Sequence, residues 1–452
     1  MKPATRTLAF VGVVLPCSLL AFAAARPPQQ PVAPTAGPPP GTLQIVISTE
    51  LNGNITPCGC SKPMLGGLPR RASFLKSLGP VGSQIAVDNG DLTESMGRQD
   101  ELKAETIVEA FNTMRYAAIN LGEKDFRLGM PYLQSLRARF KGGLLCANAR
   151  KADGSPHFQE TTSVDREVAG RKVKVTVVGV LSEQFKAQIT AINPEVQIED
   201  PTTTLERLKP ELVSASEVRI LLYHGSRSEA EALADRLGCF QLVVCGHEGD
   251  HPLELKRNGA TAIACSGQDG KYIGRASLDP ASRWEVTEAR FPPLVPEFTD
   301  DPGILAVKAS YLERVAAEDL LGKVPKLPTT NGDRFAGNAS CLPCHAAAAE
   351  VWRKSGHAHA IATLAKVQED RDPECVRCHV VGLDHVSGFA SRMKTPQLEN
   401  VGCESCHGPA AKHAANPSLK PPKAGAASCS PCHVPQHSPK FDFPMFWEKI
   451  KH

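Results

Sequence analysis

Residues 401–413 read VGCESCHGPAAKH, two cysteines and two histidines within thirteen positions. Cys403 and Cys406 stand about one helical turn apart, and His407 follows at once. The same C-x-x-C-H order recurs as CLPCH from Cys341, CVRCH from Cys375 and CSPCH from Cys429. Two thiols at this spacing reach the two vinyl groups of one haem, and the next imidazole reaches its iron. Structural zinc uses cysteine pairs but has no need of a histidine after each of them. A thioredoxin-like pair would occur once, on a βα unit, and disulfides would leave the four histidines unexplained. The pattern predicts four c-type haems, attached through Cys341 and Cys344, Cys375 and Cys378, Cys403 and Cys406, and Cys429 and Cys432. The proximal ligands are then His345, His379, His407 and His433.

Working outward, the segment from about Phe335 to His452 holds eight of the fifteen cysteines and ten of the fourteen histidines, with few apolar runs. A segment of this composition builds no ordinary side-chain core, so the porphyrins are expected to fill it. The surplus imidazoles His357, His359, His385, His413, His437 and His452 are the candidates for the sixth iron position. Met393 and Met445 are the only sulfur rivals there, so bis-histidine ligation and fairly low potentials are expected at most centres. About thirty residues per signature put the haems close together, a spacing suited to electron transfer.

The tail resembles the tetrahaem cytochrome c-554 family of multihaem cytochromes. The resemblance is carried by WRKSGHAHA (352–360), VGCESCHGPAAKH (401–413) and SPKFDFPMFWEKIKH (438–452). It implies that His357, His413 and His452 are distal ligands to haems other than their sequence neighbours, and that one haem in such proteins can stay five-coordinate. Ligation and a surface or propionate contact are both open for His359, His385 and His437.

Upstream, the apolar runs LQIVIS, QIAVD, AAINL, GLLCANA, VKVTVVGV, EVRILLY, FQLVVC and TAIAC read as buried strands. Helical stretches such as ELKAETIVEAFNTM and SEAEALADRL separate several of them, which predicts an α/β domain over 42–290. Residues 301–322 read as one amphipathic helix and KVPKLPTTNGD as a hinge, a connector spanning 291–334. The α/β segment resembles the calcineurin-like metallophosphoesterases, chiefly their periplasmic 5′-nucleotidase branch. ISTELNGN (47–54), GGLPRRASFL (66–75), DNGDLTES (88–95), LYHGS (222–226) and VVCGHEGD (243–250) carry it. The expected architecture is a metallophosphoesterase-like α/β sandwich followed by a mostly helical and looped multihaem cytochrome domain.

This sequence departs from the phosphoesterase pattern at several ligands. Glu50 and Asn52 stand where the family has an Asp-x-His pair. Gly122-Glu123-Lys124-Asp125 replaces Gly-Asn-His-Glu, which puts Lys124 at the catalytic histidine. Gly246-His247-Glu248-Gly249 replaces Gly-His-x-His. A two-ion hydrolase needs two cations about 3.5–4 Å apart, and a lysine ammonium beside them is repulsive. Glu50, Asp91, Glu123, His224 and His247 suffice for one divalent ion. Cys58 and Cys60, in NITPCGCSKP (54–63), offer a soft-metal or redox pair. They can equally bridge to Cys146, Cys239, Cys245 and Cys265, an even set of six. His157 and His251 read as solvated or structural.

The chain begins MKPATRTLAFVGVVLPCSLLAFAAA, a basic start and an apolar run ending in small residues, which reads as a signal peptide over 1–25. Cys17 follows Pro16 and makes a poor lipid-anchor site. RPPQQPVAPTAGPPP supplies an extended proline-rich linker over 26–41. No further run reaches the ~18 apolar residues of a membrane span. A net charge of +3 and 5% aromatic content over 452 residues give no footing for nucleic acid. The expectation is a periplasmic or extracellular protein that works with redox partner proteins. Electron carrier, nucleotidase-like phosphohydrolase and multihaem oxidoreductase acting on a small substrate all remain open.

Overall fold

Leu43–Ser48 is buried at all six positions, as a strand covered on both faces must be. It lies inside a six-stranded sheet ordered Glu285–Arg290, Gly274–Asp279, Leu43–Ser48, Gln84–Asp88, Tyr116–Asn120, Gly143–Leu145. The last four are parallel and the first two pair antiparallel. The computed structural model describes residues 37–57, 63–329 and 331–452. The signal-peptide segment with Cys17, and most of the proline-rich linker, lie outside the described residues.

A second six-stranded sheet is ordered Lys256–Asn258, Thr261–Ala264, Leu242–Val244, Val218–His224, Arg171–Leu181, Thr161–Val168. Strand side chains alternate between faces, and here each face has its own partner layer. Leu43, Ile45 and Ile47 meet Val175, Val177, Ile220 and Leu222 between the sheets. On the far side of the first sheet, Val46 packs with the helices Leu68–Ser77 and Arg98–Met114. On the far side of the second, Val178 and Val180 pack with Pro201–Ala215 and Arg227–Leu237. The result is a four-layer αββα sandwich, in which all eight apolar runs form strands. GLLCANA contributes only Gly143–Leu145 to the sheet, and its end passes into the short strand Ala149–Arg150.

Two expectations are corrected. The helix read over 301–322 runs only from Pro302 to Ala317, and Asp319 then turns with φ +47°. Its apolar stripe, Ile304, Val307, Tyr311 and Val315, joins the core beneath the first sheet, so it is a front-domain helix and not a connector. The tail also has a small side-chain core: Ile361, Leu364, Val376, Val380, Val381, Leu383, Phe389 and Leu398, joined by Val324 from the connector. These residues gather around the second signature, where the tail's few branched apolar residues are concentrated. Beyond Leu398, Ala410 is the only buried apolar side chain among the described residues. Short helices of four to nine residues carry or flank the signatures, Ala346–Lys354 and Cys403–His407 among them. No helix among the described residues is long and apolar enough to cross a membrane.

Front segment and tail pack into one compact unit, joined at the second signature. Asp372 caps the helix Pro373–Arg377, accepting the Glu374 N–H at 3.0 Å. The same carboxylate accepts the Tyr311 hydroxyl at 2.9 Å and the Gln99 amide at 2.7 Å, both from the front segment. Lys103, 6% exposed, is ion-paired with Glu374, the residue before Cys375. Lys308 pairs with Glu369 at 2.7 Å.

Candidate metal and haem centres

Five site loops leave the C-terminal ends of parallel strands, where ligands bind in open α/β sheets. Ser48 leads to Glu50, Asp88 to Asp91, Asn120 to Glu123, and Val244 to His247, while His224 ends its own strand. The turns are tight enough to force Glu50, Asn52, Asp91 and His247 into the left-handed region, with φ of 48°, 50°, 54° and 57°. Backbone held there costs on the order of 1–3 kcal/mol per residue and gathers at functional sites. Gly122 has no room for a side chain, since a Cβ would lie 2.2 Å from Asp91 Oδ1 and 2.5 Å from His224 Cε1. Gly122→Ala therefore costs about 3 kcal/mol and separates these two side chains. Denaturant unfolding and divalent-ion titration of the variant measure both effects.

One ligand atom from each of Asp91, Glu123, His224 and His247 falls within a cluster spanning 4.8 Å. His224 Nε2 lies 2.7 Å from Glu123 Oε2, 2.9 Å from His247 Nε2 and 3.5 Å from Asp91 Oδ1. His224 Nδ1 sits 2.6 Å from the Asn89 carbonyl oxygen. A proton on Nδ1 leaves the Nε2 lone pair facing the cluster, the orientation of a metal-bound histidine. Burial pushes the Asp91 carboxyl well above its ordinary pKa. Burial also opposes charge on Glu123, but hydrogen bonds from His224 and His247 outweigh it and hold that group well below the usual range. On His224 burial is outweighed by Asp91 and Glu123, and the imidazole is pushed up to about 10. The cluster thus draws a cation to itself. Asp91 Oδ2, fully buried, has no hydrogen-bond partner. Two imidazoles, two carboxylates and an orphaned buried oxygen fit one divalent transition ion.

Glu50 is placed differently from the expectation. Its carboxylate accepts the His247 backbone N–H at 3.0 Å and the Gln268 amide at 3.3 Å, and lies 3.6 Å from His247 Nδ1. It stands behind His247 and orients it. Cys58 and Cys60 lie outside the described residues. Among those described no disulfide forms. Cys146 and Cys239 are buried singly, while the Cys245 and Cys265 thiols, just past the ends of paired parallel strands, lie close together, and Cys245 donates to the Ala264 carbonyl oxygen at 3.6 Å. His157 is buried, with Nε2 3.3 Å from the Glu195 carbonyl oxygen, and exposed His251 pairs with Tyr272. Asp125 had no role in the sequence reading. Its carboxylate takes the backbone N–H groups of Asp91, Leu92 and Gly122 at 2.8–2.9 Å and ties two site loops together.

In the tail three imidazole pairs face each other. Ring centres are 6.1 Å apart for His345 and His413, 6.2 Å for His357 and His433, and 6.0 Å for His407 and His452. A metal ion bound on both faces at about 2.0–2.1 Å sets two imidazole centres ~6.2 Å apart. The fourth signature histidine, His379, has Nδ1 2.7 Å from the Ala360 carbonyl oxygen, and among the described residues no second imidazole ring faces it. His385 has a buried Nδ1 with no partner, and exposed His359 lies 3.2 Å from the Arg353 carbonyl oxygen. Burial lowers the pKa of His437. The Cys341 and Cys403 thiols lie close to each other, as do those of Cys378 and Cys432. A small cavity of about 60 Å³ opens beside the first and third signatures, lined by Cys341, His345, Cys403, Cys406, His407 and His452. Thiols and imidazoles on an apolar lining are the donor set of a covalently held haem.

Residues 340–408 match the family model for cytochrome c554 and c-prime. The chain is 38% identical over 90 residues to cytochrome c-554 of Nitrosomonas europaea, covering 17% of this chain and 38% of that protein. It is 26% identical over 293 residues to a 2′,3′-cyclic-nucleotide 2′-phosphodiesterase/3′-nucleotidase of Salmonella typhimurium, 55% of this chain and 45% of that protein. The chain thus spans less than half the length of either relative. A solved calcineurin-like phosphoesterase of Bacillus subtilis superposes with a TM-score of 0.52 at 16% identity, over 60% of this chain and 97% of that one. The front segment therefore has a metallophosphoesterase-like α/β fold, and the tail carries a cytochrome c554-like, c-type haem region. Within that region Glu404, an interior residue of CESCH, is 3% exposed and accepts the N–H groups of Ala336, Gly337 and Ala410. Its position between the two cysteines concealed this bracing role.

Proposed function

We propose that the chain is an exported four-haem electron-transfer protein whose front domain holds a single-ion metal centre. The observation that carries this reading is the set of three imidazole pairs at 6.0–6.2 Å. His345 with His413, His433 with His357, and His407 with His452 are the proposed axial pairs. His379 holds its iron from one side, with the opposite face open. Haems attached at the four cysteine pairs would supply one-electron chemistry along the tail. The proximity of the signature cysteines supports one order for these centres. Cys378 lies near Cys432, Cys406 near Cys429, and Cys403 near Cys341. The sequence of centres is then second, fourth, third, first. Asp372 and Glu374 fix the second centre to the front domain. Asp91, Glu123, His224 and His247 hold one divalent ion, with Glu50 and Asp125 setting their positions.

A reductive titration tests the proposal. Four one-electron equivalents per chain, with c-type absorption bands in the reduced protein, are expected; uptake of fewer than four contradicts it. A second reading, phosphoester hydrolysis, is favoured by the ligand cluster itself. Turnover of nucleotides or aryl phosphates with added manganese or zinc, lost in Asp91→Ala, would support it. The open face at His379 favours a third, a reaction on a small ligand at that iron. A spectral shift of the reduced protein on adding carbon monoxide would support that one.

A further inference from the structure

Lys124 is the residue that the one-ion reading leaves without a role. Its side chain is 17% exposed and enters the site from the loop that also carries Glu123. Lys124 Nζ lies 3.0 Å from Asn52 Oδ1, 2.7 Å from Glu94 Oε2 and 3.9 Å from Asp91 Oδ2. Its backbone N–H donates to Asp91 Oδ1 at 3.0 Å. The Asn52 amide is oriented from both ends, because its Nδ2 donates to Asp269 Oδ1 at 3.1 Å while its oxygen faces the ammonium. Three oxygens from two separate loops, Asn52 on one and Asp91 and Glu94 on the other, therefore surround one positive charge, directly beside the ligand cluster. The orphaned Asp91 Oδ2, fully buried, lies on that side.

Resting on the single-ion reading above, we propose that the Lys124 ammonium is the second cation of this centre, permanently fixed by its covalent attachment. It occupies the oxygen-lined position next to Asp91 that a second divalent ion would need. A second ion there would meet a full positive charge at contact distance with little solvent between them. At Gly249, where the resembled family supplies a further imidazole, there is no side chain, and the space around it is open. The chain thus both removes ligands from the second position and fills that position with its own cation. The ammonium presents hydrogen-bond donors where an ion would present open coordination sites, so the two-ion clamp of in-line phosphoryl displacement does not assemble.

The test is manganese binding to the intact, haem-loaded protein, read by elemental analysis against haem iron and by the manganese paramagnetic resonance spectrum. The wild-type chain is expected to take up one manganese ion with an uncoupled spectrum. Lys124→Ala exposes Asp91 Oδ2, Asn52 Oδ1 and Glu94 Oε2, oxygen donors suited to manganese. It is expected to take up two ions and give an exchange-coupled spectrum. Lys124→Arg keeps the charge and is expected to stay at one. Two ions in the wild type, or one in Lys124→Ala at saturating manganese, overturns the role assigned to Lys124. No manganese in the wild type overturns the metal centre itself, and the haem titration is untouched by any of these results.

Discussion

A chain in which the eight signature cysteines are replaced by alanine is expected to lose the fold of its tail while the front sandwich survives. The front domain buries two sheets and six helices of ten or more residues around apolar clusters that contain no haem-region residue. Among the described residues the tail shares one apolar cluster of nine side chains, eight of them its own and the ninth Val324, gathered around the second signature. Around the third and fourth signatures little but the porphyrins can replace that core. Each fully buried large apolar side chain is worth roughly 1.5–3 kcal/mol. Nine of them, several supplied by loops, do not offset the ordering of more than a hundred residues at about 1–2 kcal/mol each. Limited proteolysis reads the outcome. A stable fragment ending soon after the helix Pro302–Ala317 is expected, against an uncut chain when haem is attached. A haem-free tail that resists protease would show that side chains alone hold it.

The second large effect is at Asp91. Asp91→Ala removes both the oxygen 3.5 Å from His224 Nε2 and the buried Oδ2 that has no hydrogen-bond partner. Outer partners of a metal ligand are worth about 10–100-fold in affinity, and a ligand is worth more, so divalent-ion affinity is expected to fall by more than ~10²-fold. Asp91 is also one of the acids that raise the His224 pKa, so the variant is expected to lower it. Competition against a metallochromic indicator measures the first effect, and the imidazole proton shifts of His224 measure the second. Unchanged affinity in Asp91→Ala would place the ion elsewhere.

Much of this molecule is legible in its sequence because its chemistry is local. The C-x-x-C-H signatures concentrate a haem site into five residues, and the apolar runs flanked by turn residues mark strands wherever both faces are covered. What was hidden depends on contacts between distant segments. Ile304, Val307, Tyr311 and Val315 form a plain amphipathic stripe, and nothing local says that the stripe belongs under the first sheet. Glu50 looks like a ligand from its place after the first strand, but the left-handed turn at Glu50 puts its carboxylate behind His247. Asp125, Glu404 and Asp372 are acids whose importance lies in the backbone N–H groups or hydroxyl they collect, which no motif records. The pairing of His345 with His413 and of His357 with His433 joins residues 68 and 76 positions apart. The cytochrome resemblance implies His357, His413 and His452 as distal ligands, and the fold sets each of them about 6 Å from a signature imidazole.

Intact-chain mass spectrometry under denaturing conditions, combined with paramagnetic resonance of the oxidised protein, tests the haem-filled tail most directly. The account predicts four haems covalently retained on every chain, with three low-spin bis-imidazole signals and one high-spin signal from the centre at His379. A colourless chain carrying eight unmodified signature thiols would contradict it.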